Sequence, residues 1–137
     1  MRYVNRWNIL ASELKPSLQK GLQTTGVQMV ANIQANAPRR TGFMADNVYV
    51  SGPLVSTYGA GGSPSSDEAY LLPEVTPQDE YSAIVGAAAD YSIWVNFGHH
   101  TRSGSFVPAN PFFDRGVEQT RGQFETIMAA ALAAGLV

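Results

Sequence analysis

The 137-residue chain has no cysteine. That absence removes disulfide frameworks, thiolate zinc sites and cysteine nucleophiles together, and leaves the redox compartment open. Charge is also scarce, at 15% of residues against 45% hydrophobic, so a good deal of uncharged surface is left for water or partner chains to cover. No run reaches the roughly 18 consecutive apolar residues that span a bilayer. The opening "MRYVNRWNIL" lacks the apolar core and small-residue cleavage site of a secretory signal. These features predict a soluble chain that stays in the cell that makes it, with no membrane partner.

Catalytic constellations are missing as well. His99 and His100 are the only histidines; as neighbours they point in opposite directions in extended chain, a poor arrangement for sharing one metal. No serine sits in a G-x-S-x-G elbow, and neither histidine has an evident acid to complete a relay. Asp67-Glu68 and Asp79-Glu80 are carboxylate neighbours in polar sequence, with no burial to raise one pKa. "GAGGSP" lacks the spacing of a phosphate cradle and opens no helix. The residues therefore point away from an enzyme and predict no metal and no cofactor.

What the chain does have is a strong charge asymmetry beneath a net charge of −2. Residues 1–66 carry six bases (Arg2, Arg6, Lys15, Lys20, Arg39, Arg40) and two acids, a surplus of +4. Residues 67–90 carry six acids (Asp67, Glu68, Glu74, Asp79, Glu80, Asp90) and no base, a surplus of −6. Such segments supply complementary patches for contact between copies, although they can also pair within one copy.

Leu18, Leu22, Met29, Val30, Ile33 and Ala37 recur at helical spacing and predict a helix over about 17–36, with Pro16 in its first turn and Gly21 and Gly26 weakening it. Trp7, Leu10 and Leu14 suit an earlier turn or short helix on the same face. In "APRRTG" Pro38 disfavours helical geometry at Ala37 and Gly42 suits a tight corner, so this stretch is a helix stop. "NVYVSGPLVSTYG" predicts one or two strands broken at Gly52-Pro53, followed by a mobile loop over 59–69 within a longer irregular stretch to 80. Ser82–Ala87 reads as a strand, and Leu71–Leu72 as an edge strand limited by Pro73 and Pro77. "DYSIWVNFG" fits a short helix with Asp90 as N-cap, or a strand; we lean to helix. Its aromatics Tyr91, Trp94 and Phe97 read first as core and in part as interface. "HHTRSGSFVPA" reads as a second loop. The last helix opens with Asn110 as N-cap and Pro111 at its first position, and its apolar face is Phe113, Val117, Phe124, Ile127, Met128, Ala131 and Leu132, ending near Gly135. The order predicts one α+β domain over 1–137, a small antiparallel sheet packed by a long N-terminal helix and a C-terminal helix.

Three stretches in this order resemble the neck proteins of tailed bacteriophages, the head–tail joining or tail-completion proteins of the gene-product-ten type of lambdoid siphophages. They are Ala37-Pro38-Arg39-Arg40-Thr41-Gly42-Phe43-Met44, Tyr91-Ser92-Ile93-Trp94-Val95-Asn96-Phe97-Gly98 and Ala109-Asn110-Pro111-Phe112-Phe113. The family pattern carries leucine at Met44, glutamate at Asn96 and threonine at His99, so an ion pair at position 96 does not carry over. The resemblance implies no catalysis. It implies a virion protein made in the bacterial cytoplasm that forms a ring of identical subunits, a hexamer or dodecamer, between the portal-side connector and the tail tube. Double-stranded DNA passes through such a ring. Arg39 and Arg40 at the corner, with Asp67, Glu68, Glu74, Asp79 and Glu80, are then candidates to face a neighbouring subunit or DNA, the neighbour being favoured. Rival readings are a tail terminator or other minor tail protein, a DNA-binding accessory protein using the basic first half, and a small hydrolase using the histidines and loop acids.

Overall fold

The computed structural model describes residues 7–37, 43–58, 72 and 74–135, with side chains from Leu14 onward except those of 43, 57 and 58. The elements run α1 (Trp7–Asn36), α2 (Phe43–Asp46), β1 (Val48–Ser51), β2 (Ser56–Tyr58), β3 (Ile84–Ala87), α3 (Ser92–Phe97), β4 (His99–His100), β5 (Phe106–Val107), α4 (Phe112–Arg121) and α5 (Phe124–Gly135). The predicted α+β architecture holds: α1 spans the molecule, with the sheet and the C-terminal helices packed along it.

α1 is one 30-residue helix that starts ten residues earlier than the periodicity suggests, and Pro16 lies inside it. An interior proline forfeits one backbone hydrogen bond and costs about 3 kcal/mol in an isolated helix. Packing of α1 against α4 and α5 offsets that cost, an instance of tertiary contact overriding local propensity. Packing of α1 on the sheet explains Gly26, which lies against the side chain of Val50 in β1.

β1 is the middle strand of a three-stranded antiparallel sheet ordered β2-β1-β3, pairing Tyr49 with Tyr58 on one side and with Gly86 on the other. All four of its residues are buried, which is why its sequence alternates only in part. Val48 and Val50 join Val30, Ile33, Ala37, Met44, Ala45, Ala89 and Phe112 in the core. The predicted break at Gly52-Pro53 is the β1–β2 turn. Gln23 of α1 holds it, accepting from the Leu54 and Val55 amides at 3.3 Å and donating to the Val55 carbonyl at 3.0 Å. The predicted strand at 82–87 narrows to β3. Of the predicted Leu71–Leu72 edge, the Leu72 amide donates to the Ala88 carbonyl at 2.7 Å, without forming a regular strand; Leu71 lies outside the described residues, as does the predicted mobile loop 59–69.

Two further expectations are corrected. "HHTRSGSFVPA" is a two-stranded hairpin, β4–β5, with His99 opposite Val107 and His100 opposite Phe106. Its short strands and polar turn leave no long alternation to read. The single C-terminal helix is two helices separated at Gly122-Gln123, where the Gln123 amide bonds the Thr120 carbonyl at 2.9 Å. α4 buries Phe112, Gly116 and Thr120 fully, and Phe113 and Val117, expected on its apolar face, are half-buried and pack against the core beside them. A glycine and a threonine in the stripe hide it from a reading that counts apolar residues, because α4 meets α1 closely enough that Gly116 lies on the Ile33 backbone. Thr120 answers the polar side of that contact: its hydroxyl donates to the Gly116 carbonyl at 2.8 Å and accepts from Asn32 Nδ2 at 2.9 Å.

Among the described residues, the opposed charge blocks meet within the chain where Lys15 pairs with Glu80. The hydrogen bond and charge of Glu80 hold the Lys15 pKa above the ordinary lysine value. The contribution of this pair to stability is therefore complete below that ordinary value and disappears as pH rises through the raised one.

Candidate functional site

α3 buries its two polar residues and exposes three of its four apolar ones, Val95 being half-buried against the core. Ser92 and Asn96, four apart and so on one face, are buried, whereas Ile93, Trp94 and Phe97 are 58%, 58% and 66% exposed. A surface helix normally shows the opposite pattern, so the inversion needs a cause on each face.

Inside, the cause is the start of α4. Four amides at a helix N-terminus lack intrahelical partners, and Pro111, which precedes α4, supplies no side-chain cap. Asn96 takes that role from the neighbouring helix: its Oδ1 accepts from the Phe113 amide at 3.2 Å and its Nδ2 donates to Asp114 Oδ2 at 3.3 Å. Asn110, the expected N-cap, instead ties α3 to α4. Its amide donates to the Val95 carbonyl at 2.9 Å, its carbonyl accepts from Phe112 at 2.7 Å, and its side chain accepts from Arg115 at 3.1 Å. Asn96→Ala is accordingly expected to cost about 1–2 kcal/mol, the range for losing a cap and leaving a buried donor unpaired. Urea unfolding of the variant against the parent checks it.

Outside, Ile93 and Phe97 border a groove of about 410 Å³ lined by α3, the start of α4, Leu72, Ala87, Ala89 and Asp90. Ile93, Phe97 and Phe112 give it apolar walls, and Asp90 and Asp114 also line it. Ser92 Oγ, in the same lining, is buried without a hydrogen-bond partner. On the other side of α3 the chain turns at Gly98, whose φ of 79° favours glycine, and enters the hairpin. There His99 packs edge-on against Trp94, and His100 lies 5.2 Å from Phe106, itself 61% exposed. Residues 102–109 are exposed throughout. The arrangement presents large apolar side chains, exposed in one region, on a helix held from behind by hydrogen bonds.

The residues singled out in the sequence fall in three groups. Ala37 and Phe112 are in the core, Pro111 precedes α4, and Tyr91 is half-buried under α3. Trp94 and Phe97 face outward, which corrects their reading as core. α3 begins after Tyr91, one residue beyond the start that an Asp90 N-cap requires. Among the acids, Asp79 accepts from the Tyr81 amide at 2.8 Å and the Ser82 hydroxyl at 2.9 Å, Glu80 meets Lys15, and Glu74 is half-buried. Pro38, Arg39, Arg40, Thr41, Gly42, Asp67 and Glu68 lie outside the described residues. The groove, the cap and the exposed hairpin residues Arg102 and Phe106 were missed; the available signal was the polar pair Ser92 and Asn96 inside an aromatic run. Among the described residues, no group of three or more His, Asp or Glu side chains could hold a metal, and no helix is long and apolar enough to cross a membrane.

A family model described as "Bacteriophage HK97-gp10, putative tail-component" matches residues 8–98, from the first turns of α1 through α3. No curated protein and no solved structure matches. The matched span covers more than half of the chain and includes its long helix, its three-stranded sheet and the inverted helix; the chain belongs to the HK97-gp10-like family of bacteriophage tail components.

Proposed function

We propose that this chain is a non-enzymatic structural protein of the phage neck, one subunit of a ring that joins the head connector to the tail and surrounds the path of the DNA. The observation that carries the proposal is the outward face of α3. Ile93, Trp94 and Phe97 are held in water by a helix whose buried side makes specific hydrogen bonds. A subunit that works alone has no use for such a face, whereas one covered by neighbours does. The charge surpluses of residues 1–66 and 67–90 favour contacts between unlike patches, the type that generates rings. Partners on this reading are further copies of the chain and the adjoining head-side and tail-side proteins, and the place of work is the virion.

Particle assembly tests this directly. A phage whose gene for this chain is interrupted is expected to accumulate filled heads and separate tails, and supplying the chain in trans restores joined particles. Normal, infectious particles made without it would contradict the proposal.

A further inference from the structure

We infer that the groove beside α3 receives the β4–β5 hairpin of a second copy of this chain, an inference that rests on the ring reading above. The groove presents three unmet features. Its walls include Ile93 and Phe97, both more than half exposed; Ser92 Oγ is buried in its lining with no partner; and Asp90 and Asp114 take part in no ion pair among the described residues. What fits is an apolar side chain next to a cation, on a backbone with free hydrogen-bonding groups.

The hairpin has that composition. Phe106 is 61% exposed, and Arg102, in the exposed turn between β4 and β5, makes no ion pair among the described residues. A two-stranded hairpin has two edges of unpaired amides and carbonyls, and alone in water is only marginally stable. Docking would cover Phe106, place Arg102 between two carboxylates and offer Ser92 a backbone partner. A hairpin cannot serve its own groove here, since it leaves α3 on the side of Trp94 and His99, and none of its residues lines the groove. Knob and groove are therefore different patches of one chain. Repeated contact between them runs head to tail and closes into a ring if the rotation permits.

The absence of cysteine makes a clean test available. One chain carries Phe97→Cys at the groove and another Ser105→Cys beside Phe106; they are mixed and oxidised mildly, and a non-reducing gel reads the products. Disulfides form only where Cα atoms approach to about 4.4–6.8 Å. The expected result is a linked heterodimer at least tenfold above the homodimer from either chain alone, and a ladder of multimers when one chain carries both substitutions. In sedimentation, Arg102→Glu is expected to weaken self-association at least tenfold, and a partner carrying Asp90→Arg to restore it; both positions are exposed, so the fold should not suffer. The doubly substituted chain is also built into particles. Absence of heterodimer and ladder in both the purified protein and particles that contain it, or linkage of Ser105→Cys only to another virion protein, overturns the hairpin contact and leaves the neck role standing. Absence of the chain from particles would instead remove that role.

Discussion

Replacing Phe112 by alanine is expected to remove about 3–5 kcal/mol of stability, the range for truncating a buried aromatic side chain. Phe112 has no exposed surface and sits where α1, the sheet and α4 converge, in one cluster with Val30, Ile33, Val48, Val50 and Ala89. A domain of this size holds about 5–15 kcal/mol in all, so this one change takes a large share. Urea unfolding followed by tryptophan fluorescence should show a lower midpoint with an unchanged slope. Phe112→Leu, which keeps most of the volume, should lose far less. Equal losses for the two variants would mean that the site is not packed as described.

The second large effect is at Gly116, where a side chain has no room. A Cβ built there lies 2.6 Å from both the backbone nitrogen and the Cα of Ile33, and backbone atoms in the middle of a helix cannot step aside. Exposed glycines in helices usually gain about 1 kcal/mol on replacement by alanine. Here the sign should reverse, with Gly116→Ala losing about 1–3 kcal/mol by overpacking and Gly116→Val leaving little folded protein. Gly122 is the internal control. It has φ −67° and ψ −19°, and a Cβ there meets its nearest atom at 3.6 Å, so Gly122→Ala should be neutral or slightly stabilising. Thermal unfolding of the three variants separates close helix contact from a general intolerance of change in α4.

These two residues also show how far the sequence could be read. The α+β class, the break at Gly52-Pro53 and β3 follow from local signals that the tertiary structure leaves in place, whereas 92–97 is open between helix and strand in the sequence and is helical without the Asp90 cap. The start of α1 did not follow, because Pro16 is a strong local signal that packing against α4 and α5 overrides. Phe113 and Val117 of α4 are legible as core-facing, but the fully buried Gly116 and Thr120 are not, because they serve closeness and hydrogen bonding, which hydrophobic periodicity does not register. At the site, the motif Tyr91 to Gly98 was visible as a pattern, but its orientation was not. Trp94 and Phe97 look like core until Asn96 is seen turned inward to cap a helix whose first residue lies 16 positions later. The groove joins Leu72, residues of the 87–97 stretch such as Asp90, Ser92, Ile93 and Phe97, and residues 112–114, a proximity that no local spacing encodes.

The central claim is that this chain acts as a joint in the virion, with its exposed α3 and hairpin surfaces covered by neighbours. The most direct measurement is a reconstruction of the head–tail junction in intact particles. The account predicts a closed ring of this chain at that junction, with Trp94 and Phe97 buried between subunits or against adjoining proteins. Particles whose junction lacks the chain, or a ring in which α3 faces open solvent, would contradict it.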